Sequence, residues 1–147
     1  MAKFTLTPGT DHFTGISGQG NEFEFRADTL QSTDVITGAT GAFIDVMALS
    51  GSAPVAFGQF AGVSGIDRLD FNVPGSVELS NELVGNSPGL FPVNGSAGAD
   101  TIERIASITA AVEICFIGLF ASRAWKWRSG SGDSPNKMAA GLFRGRQ

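Results

Sequence analysis

The sequence predicts an all-β fold, a small sandwich or an irregular β-helix of short strands with glycine-aspartate turns. Three observations carry that expectation. First, two segments alternate with the period of a half-buried strand. In NEFEFR, Phe23 and Phe25 share one face against Glu22, Glu24 and Arg26, and in RLDFNV, Leu69, Phe71 and Val73 oppose Arg68, Asp70 and Asn72. Second, the composition, with 20 Gly and 12 Phe in 147 residues, no Tyr and 16% charged residues, suits strands and tight turns better than long helices. Third, the octets GVSGIDRL (62–69) and GSAGADTI (95–102) share one order: glycine, two residues, glycine, one residue, aspartate, one residue, aliphatic.

Taken in chain order, KFTLT, NEFEFR, TDVIT, FIDVMAL, APVAFGQF, RLDFNV and SVEL are strand candidates of suitable length and content. The stretch NELVGNSPGLFPVNG (81–95) holds two prolines and three glycines, which predicts a loop and not a central strand. Farther on, IASITAAVEICFIGLFAS (105–122) is the one long apolar run. Followed by the basic RAWKWR, with Trp125 and Trp127, it admits a membrane-span reading. Glu113 near its middle opposes that reading, and VEICFIG as a buried strand, or a core helix, is the alternative. The chain therefore divides into a β-rich domain over 1–120 and a basic extension over 121–147, which is predicted to be disordered.

Charge is unevenly spread. From Met1 to Ile102 three Lys/Arg stand against eleven Asp/Glu, a net of -8, and from Glu103 onward the balance is +4, for -4 overall. An acidic front repels nucleic acid and attracts cations. The opening MAKFTLTPGTDHF has no apolar core segment of a secretory signal. The single Cys115 excludes an internal disulfide framework, and its apolar run suits a core thiol better than a nucleophile. His12 is the only histidine, which excludes imidazole metal clusters and leaves it as a surface turn residue. Asp67 and Asp70 form a carboxylate pair of the kind any acidic β-protein offers. No phosphate-binding glycine loop with a Lys is present, and no enzyme activity is expected.

The octets have a mechanical reading. Glycines three apart let the backbone turn sharply and aim carbonyls inward, and the aspartate adds a carboxylate at the same turn. These are hard oxygen ligands of the kind calcium prefers. The order follows the logic of the nonapeptide G-G-x-G-x-D-x-U-x, whose stacked turns share calcium ions in a β-helix. On these residues the chain resembles bacterial hemolysin-type calcium-binding repeat proteins, the RTX group, and segments of S-layer-like surface proteins. Further copies over residues 3–114 are TLTPGTDHFTG, with Gly9, Asp11 and Phe13, and TGISGQGNEFEF, around Gly18, Gly20 and Asn21. A fourth, TLQSTDVITGATGAFIDVMAL, has Gly38 and Gly41, with Phe43 where the aspartate belongs.

The resemblance implies a calcium-binding or structural segment of a secreted or cell-surface bacterial protein, with calcium ions and other surface-protein chains as partners. The implied ligands are Asp67 and Asp100, Asp11 as a weaker third, and the carbonyls around Gly65 and Gly98. It also implies type I export, although the basic tail does not look like the C-terminal signal of that route. The alternatives are a purely structural β-domain, in which Asp67 and Asp100 hydrogen-bond their own turns, and membrane association through 105–122. Both octets depart from the consensus, with Val63 and Ser96 in place of its second glycine, and no copies sit nine residues apart. Finally, Trp-Lys-Trp-Arg (125–128), with a CGN arginine, reads one nucleotide later as Gly, Asn or Ser, Gly and a codon beginning with G, the first letter of the Asp codons. That relation predicts a frame shift between Ile102 and Trp125 and a fragment of a longer repeat protein.

Overall fold

The chain forms a parallel β-solenoid of about four turns. The computed structural model describes residues 1–84, 90–104 and 113–117, with the backbone alone for 81, 82, 90, 104 and 113–117. Its strands are β1 (Ala2–Thr5), β2 (His12–Thr14), β3 (Asn21–Phe25), β4 (Val35–Thr37), β5 (Asp45–Leu49), β6 (Val63–Ser64), β7 (Arg68–Phe71), β8 (Ser76–Leu79), β9 (Leu90–Asn94), β10 (Thr101–Arg104) and β11 (Glu113–Ile117). A 3-10 turn covers Phe57–Phe60 and one helical turn, α1, covers Asn81–Val84.

Strands β1, β3, β5, β7, β9 and β11 build one sheet, β2, β4 and β6 a second, and β8 and β10 a third. Every strand pairing among the described residues is parallel. That pattern decides between the two expected folds. A small sandwich is built from antiparallel hairpins, whereas parallel neighbours need a crossover of a dozen or more residues. Here the chain supplies it by winding once around the core. Cα partners in the large sheet lie 19 to 24 residues apart, as in Ala2↔Asn21, Asn21↔Asp45 and Val46↔Arg68.

The parallel register stacks inward side chains into columns. One runs Phe4, Phe23, Met47, Leu69, Val93 and another Phe25, Leu49, Phe71. Phe23, Met47, Leu69 and Val93 have no exposed surface. The ring of Phe4 stacks on Phe23 at 5.0 Å between centroids, and Phe25 meets Phe60 edge-on at 5.8 Å. Each such burial contributes about 1.5–3 kcal/mol.

The alternating segments NEFEFR and RLDFNV contain β3 and β7, with Phe23, Phe25, Leu69 and Phe71 buried as expected and Val73, beyond β7, half-buried. Four of their charges, expected to stand exposed, are instead half-buried, because neighbours draw them onto the sheet. Lys3 reaches Glu22 at 3.1 Å and Glu24 at 2.9 Å, and Arg68 reaches Asp70 at 2.7 Å.

Three expectations need correction. APVAFGQF is not a strand: Val55 makes an isolated bridge to Val77, and the chain then coils into the 3-10 turn, burying Phe60 and exposing Phe57. The predicted loop 81–95 contains α1 and the central strand β9. Strand β9 pairs with β7 only through Leu69↔Val93 and Asp70↔Asn94, so that ladder begins just beyond Pro92, where a missing N–H is tolerated. His12, expected in a turn, is exposed but opens β2. Of the 105–122 run, residues 113–117 form β11 beside β9; the remainder, and the extension 121–147, lie outside the described residues. Among the described residues no helix is long and apolar enough to cross a membrane.

Candidate functional site: the carboxylate turns

Six of the strands are entered at an Asp or Asn. Residues Asp11, Asn21, Asp34, Asp45, Asp67 and Asp100 stand at, or one residue before, the first position of β2, β3, β4, β5, β7 and β10. An apolar residue follows two places on in every case: Phe13, Phe23, Ile36, Met47, Leu69 and Ile102. Side chains two apart on a strand share a face, so the polar group is carried inward with the apolar one. Asn21, Asp34, Asp45 and Asp100 are accordingly at most 2% exposed, while Asp67 is exposed.

A buried carboxylate needs hydrogen-bond donors. The solenoid provides them from its backbone, and Asp34, Asp45 and Asp100 share one arrangement. One oxygen accepts the N–H of a residue in its own turn, and the other accepts an N–H from the preceding coil. Asp34 Oδ2 accepts from Gln31 N–H at 2.7 Å, and Oδ1 from Asp11 N–H at 2.9 Å. Asp45 Oδ2 accepts from Ala39 N–H, and Oδ1 from Asn21 N–H at 3.0 Å and the Asn21 amide at 2.7 Å. Asp100 Oδ2 accepts from Ser96 N–H at 2.7 Å, and Oδ1 from the Ser96 hydroxyl at 2.8 Å and Gly75 N–H at 3.3 Å. Asn21 closes its own turn in the same way, with Oδ1 accepting from Ile16 N–H at 2.9 Å.

The implied calcium ligands fall into this scheme at different places. Asp100 precedes β10, Asp67 precedes β7 and Asp11 precedes β2, in three different sheets. Asp11 Oδ2 accepts from Thr7 N–H at 2.6 Å, with the Thr7 hydroxyl 3.1 Å from Oδ1. Asp67 Oδ2 accepts from Asp45 N–H at 2.8 Å, which continues the Asn21–Asp45 column by one coil. Gly65 adopts a left-handed φ of 67°, and its carbonyl lies against Gly38 of the neighbouring coil, where a Cβ would collide with it. Gly98 packs over Pro74, and its N–H donates to the Ser96 hydroxyl at 3.1 Å. Among the described residues no three His, Cys, Asp or Glu side chains gather as a metal site.

The two octets, alike in sequence, thus form different turns. The true match to GSAGAD is Thr7-Pro8-Gly9-Thr10-Asp11, since Gly9 N–H donates to the Thr7 hydroxyl as Gly98 does to Ser96. Sequence reasoning missed Asp34 and Asp45 and gave Asn21 no role, because it required glycines at fixed distances. In the fourth copy Phe43 was set against the aspartate position, and the structure uses Asp45 two residues later. The pattern Asp/Asn-x-apolar would have found all six. It is permissive, since Asp28-Thr29-Leu30 also fits, with Leu30 buried but Asp28 exposed and outside any strand.

On the outer face near the first coil, Lys3 and Glu24 shift one another. Hydrogen bonds to Glu24 and Glu22 raise the Lys3 pKa, and the bond to Lys3 lowers that of Glu24 against a smaller opposing effect of burial. Beside them a shallow groove is lined by Thr5, Leu6, Glu24, Arg26, Thr29 and Ser50, away from the carboxylate turns. No known family profile, curated protein or solved structure matches the chain.

Proposed function

We propose that this chain is a structural β-solenoid segment without catalysis, in which turn carboxylates bind backbone N–H groups and so join each coil to the next. One observation carries the reading: Asp34, Asp45 and Asp100 each divide their two oxygens between their own turn and the preceding coil. A cation at these turns would compete with N–H donors already at hydrogen-bonding distance. The carboxylates then do the joining that bound calcium does in the repeat proteins the sequence resembles. A rigid spacer of this kind suits the secreted or cell-surface setting that the resemblance implies.

Calcium binding is the second reading, and Asp67 is the residue that favours it, being exposed beside the left-handed Gly65 turn. Thermal melts in calcium, in magnesium and in chelator separate the two. The structural reading expects superimposed curves, with Asp100→Asn lowering the midpoint equally in all three. A calcium-specific rise that disappears in Asp67→Asn would establish the ion-binding reading instead.

A further inference from the structure

Among the described residues, no strand pairs with the outer edge of the first coil. Strand β1 is the outermost strand of the large sheet and β2 that of the second, among the described residues. Ala2 and Leu6 donate their N–H groups to Gly20 and Glu24 carbonyls in the next coil, at 3.0 and 2.9 Å. Backbone groups of successive strand residues point to opposite sides, so the N–H and C=O of Lys3 and Thr5 face the open edge. Over this edge the core is incompletely covered: Phe4 and Phe13 are half-buried, with centroids 5.3 Å apart, while Phe23 beneath Phe4 is fully buried. Lys3, a residue type that blunts strand edges, turns its charge back onto Glu22 and Glu24.

We infer that β1 is a self-association edge, where two copies of this chain pair antiparallel about a two-fold axis. The occupant follows from hydrogen bonding and charge. An open edge selects an extended strand, and residues 1–14 carry one cationic side chain, Lys3, and one anionic, Asp11, within a front region of net -8. Two copies therefore meet at this end without like-charge repulsion, whereas a strongly charged partner finds no complement there.

The register is also determined. The outward-facing backbone groups of Lys3 and Thr5 exchange hydrogen bonds when Lys3 of one copy lies opposite Thr5 of the other. That places Phe4 opposite Phe4 across the axis, on the inward face, continuing the ring stack from Phe23. It also sets each Lys3 against a threonine and not against the other lysine.

Light scattering of the full chain over a concentration series tests this, with two variants. The wild type is expected to rise from 15.3 kDa toward twice that mass. Thr5→Pro removes an edge N–H that β3 does not use, and should remain monomeric with an unchanged far-UV spectrum. Thr5→Lys leaves every backbone group in place but sets lysine against Lys3 twice, and should weaken the dimer at least tenfold; it decides the matter if the proline variant fails to fold. A wild type that stays at the monomer mass, grows past a dimer, or dimerises equally well as Thr5→Lys overturns the inference.

Discussion

Asp45 has no solvent-exposed surface, and its carboxylate rests on the N–H groups of Asn21 and Ala39 and the Asn21 amide. Removing it leaves the buried Asn21 N–H and the part-buried Ala39 N–H without that acceptor, so Asp45→Ala should cost about 1–3 kcal/mol in a denaturant melt. Asp28→Ala, at an exposed ion pair with Arg26, should stay within about 0.5 kcal/mol. Equal effects would show that the buried carboxylate contributes no more than a surface one. A second residue-scale expectation concerns pH. The folded-state pKa of Glu24 is lowered, chiefly by its hydrogen bond to Lys3, so its stabilisation is present above the ordinary carboxylate range and is lost as pH falls through the lowered value. The raised pKa of Lys3 acts at the other end, with stabilisation lost as pH rises through it. Lys3→Met should therefore flatten the acid limb of stability against pH, as followed by melts at a series of pH values.

Among the elements, β3 and β7 were the most legible in sequence, because alternation reports directly which face is buried. Strand β5 was recognised by its content and not by alternation, since Val46 and Ala48 are buried on the face opposite Met47 and Leu49. The 3-10 turn was misread because Val55 and Phe60 are both buried, as strand residues would be, while Gln59 ties the turn to the previous coil through the Ala27 and Leu30 carbonyls. No local pattern announces a contact that distant. Pro92 misled for a different reason: its cost depends on which neighbour the missing N–H would have met. On strand β7, Phe71→Ala should destabilise by about 3–5 kcal/mol and Asp70→Ala by far less, although Asp70 holds Arg68 and Asn94. Comparable losses from the two would remove the basis for the inward column. At the coil contact, Gly38→Ala should be among the most damaging small substitutions, because its Cβ would enter the space of the Gly65 carbonyl.

For the whole molecule, the sequence pointed to a β-fold with two architectures open, because alternation is the same in parallel and antiparallel strands. What separates them is the winding of 19 to 24 residues per coil, too irregular to appear as a sequence period. The carboxylate turns were half legible for a related reason. Glycine spacing varies with the length of each turn, whereas the offset from Asp or Asn to the inward apolar residue is set by the strand itself and stays at two. On the proposed reading these side chains, and not bound ions, hold successive coils together. Amide hydrogen exchange followed by NMR in chelator tests it at the bonds themselves. Gln31, Ala39 and Ser96 lie in turns, and Asn21, Asp11 and Gly75 donate across coils; all six amides should be protected, unaltered by calcium, with Ser96 and Gly75 losing protection in Asp100→Ala. Unprotected exchange at these amides in chelator, with protection appearing only when calcium is added, would contradict it.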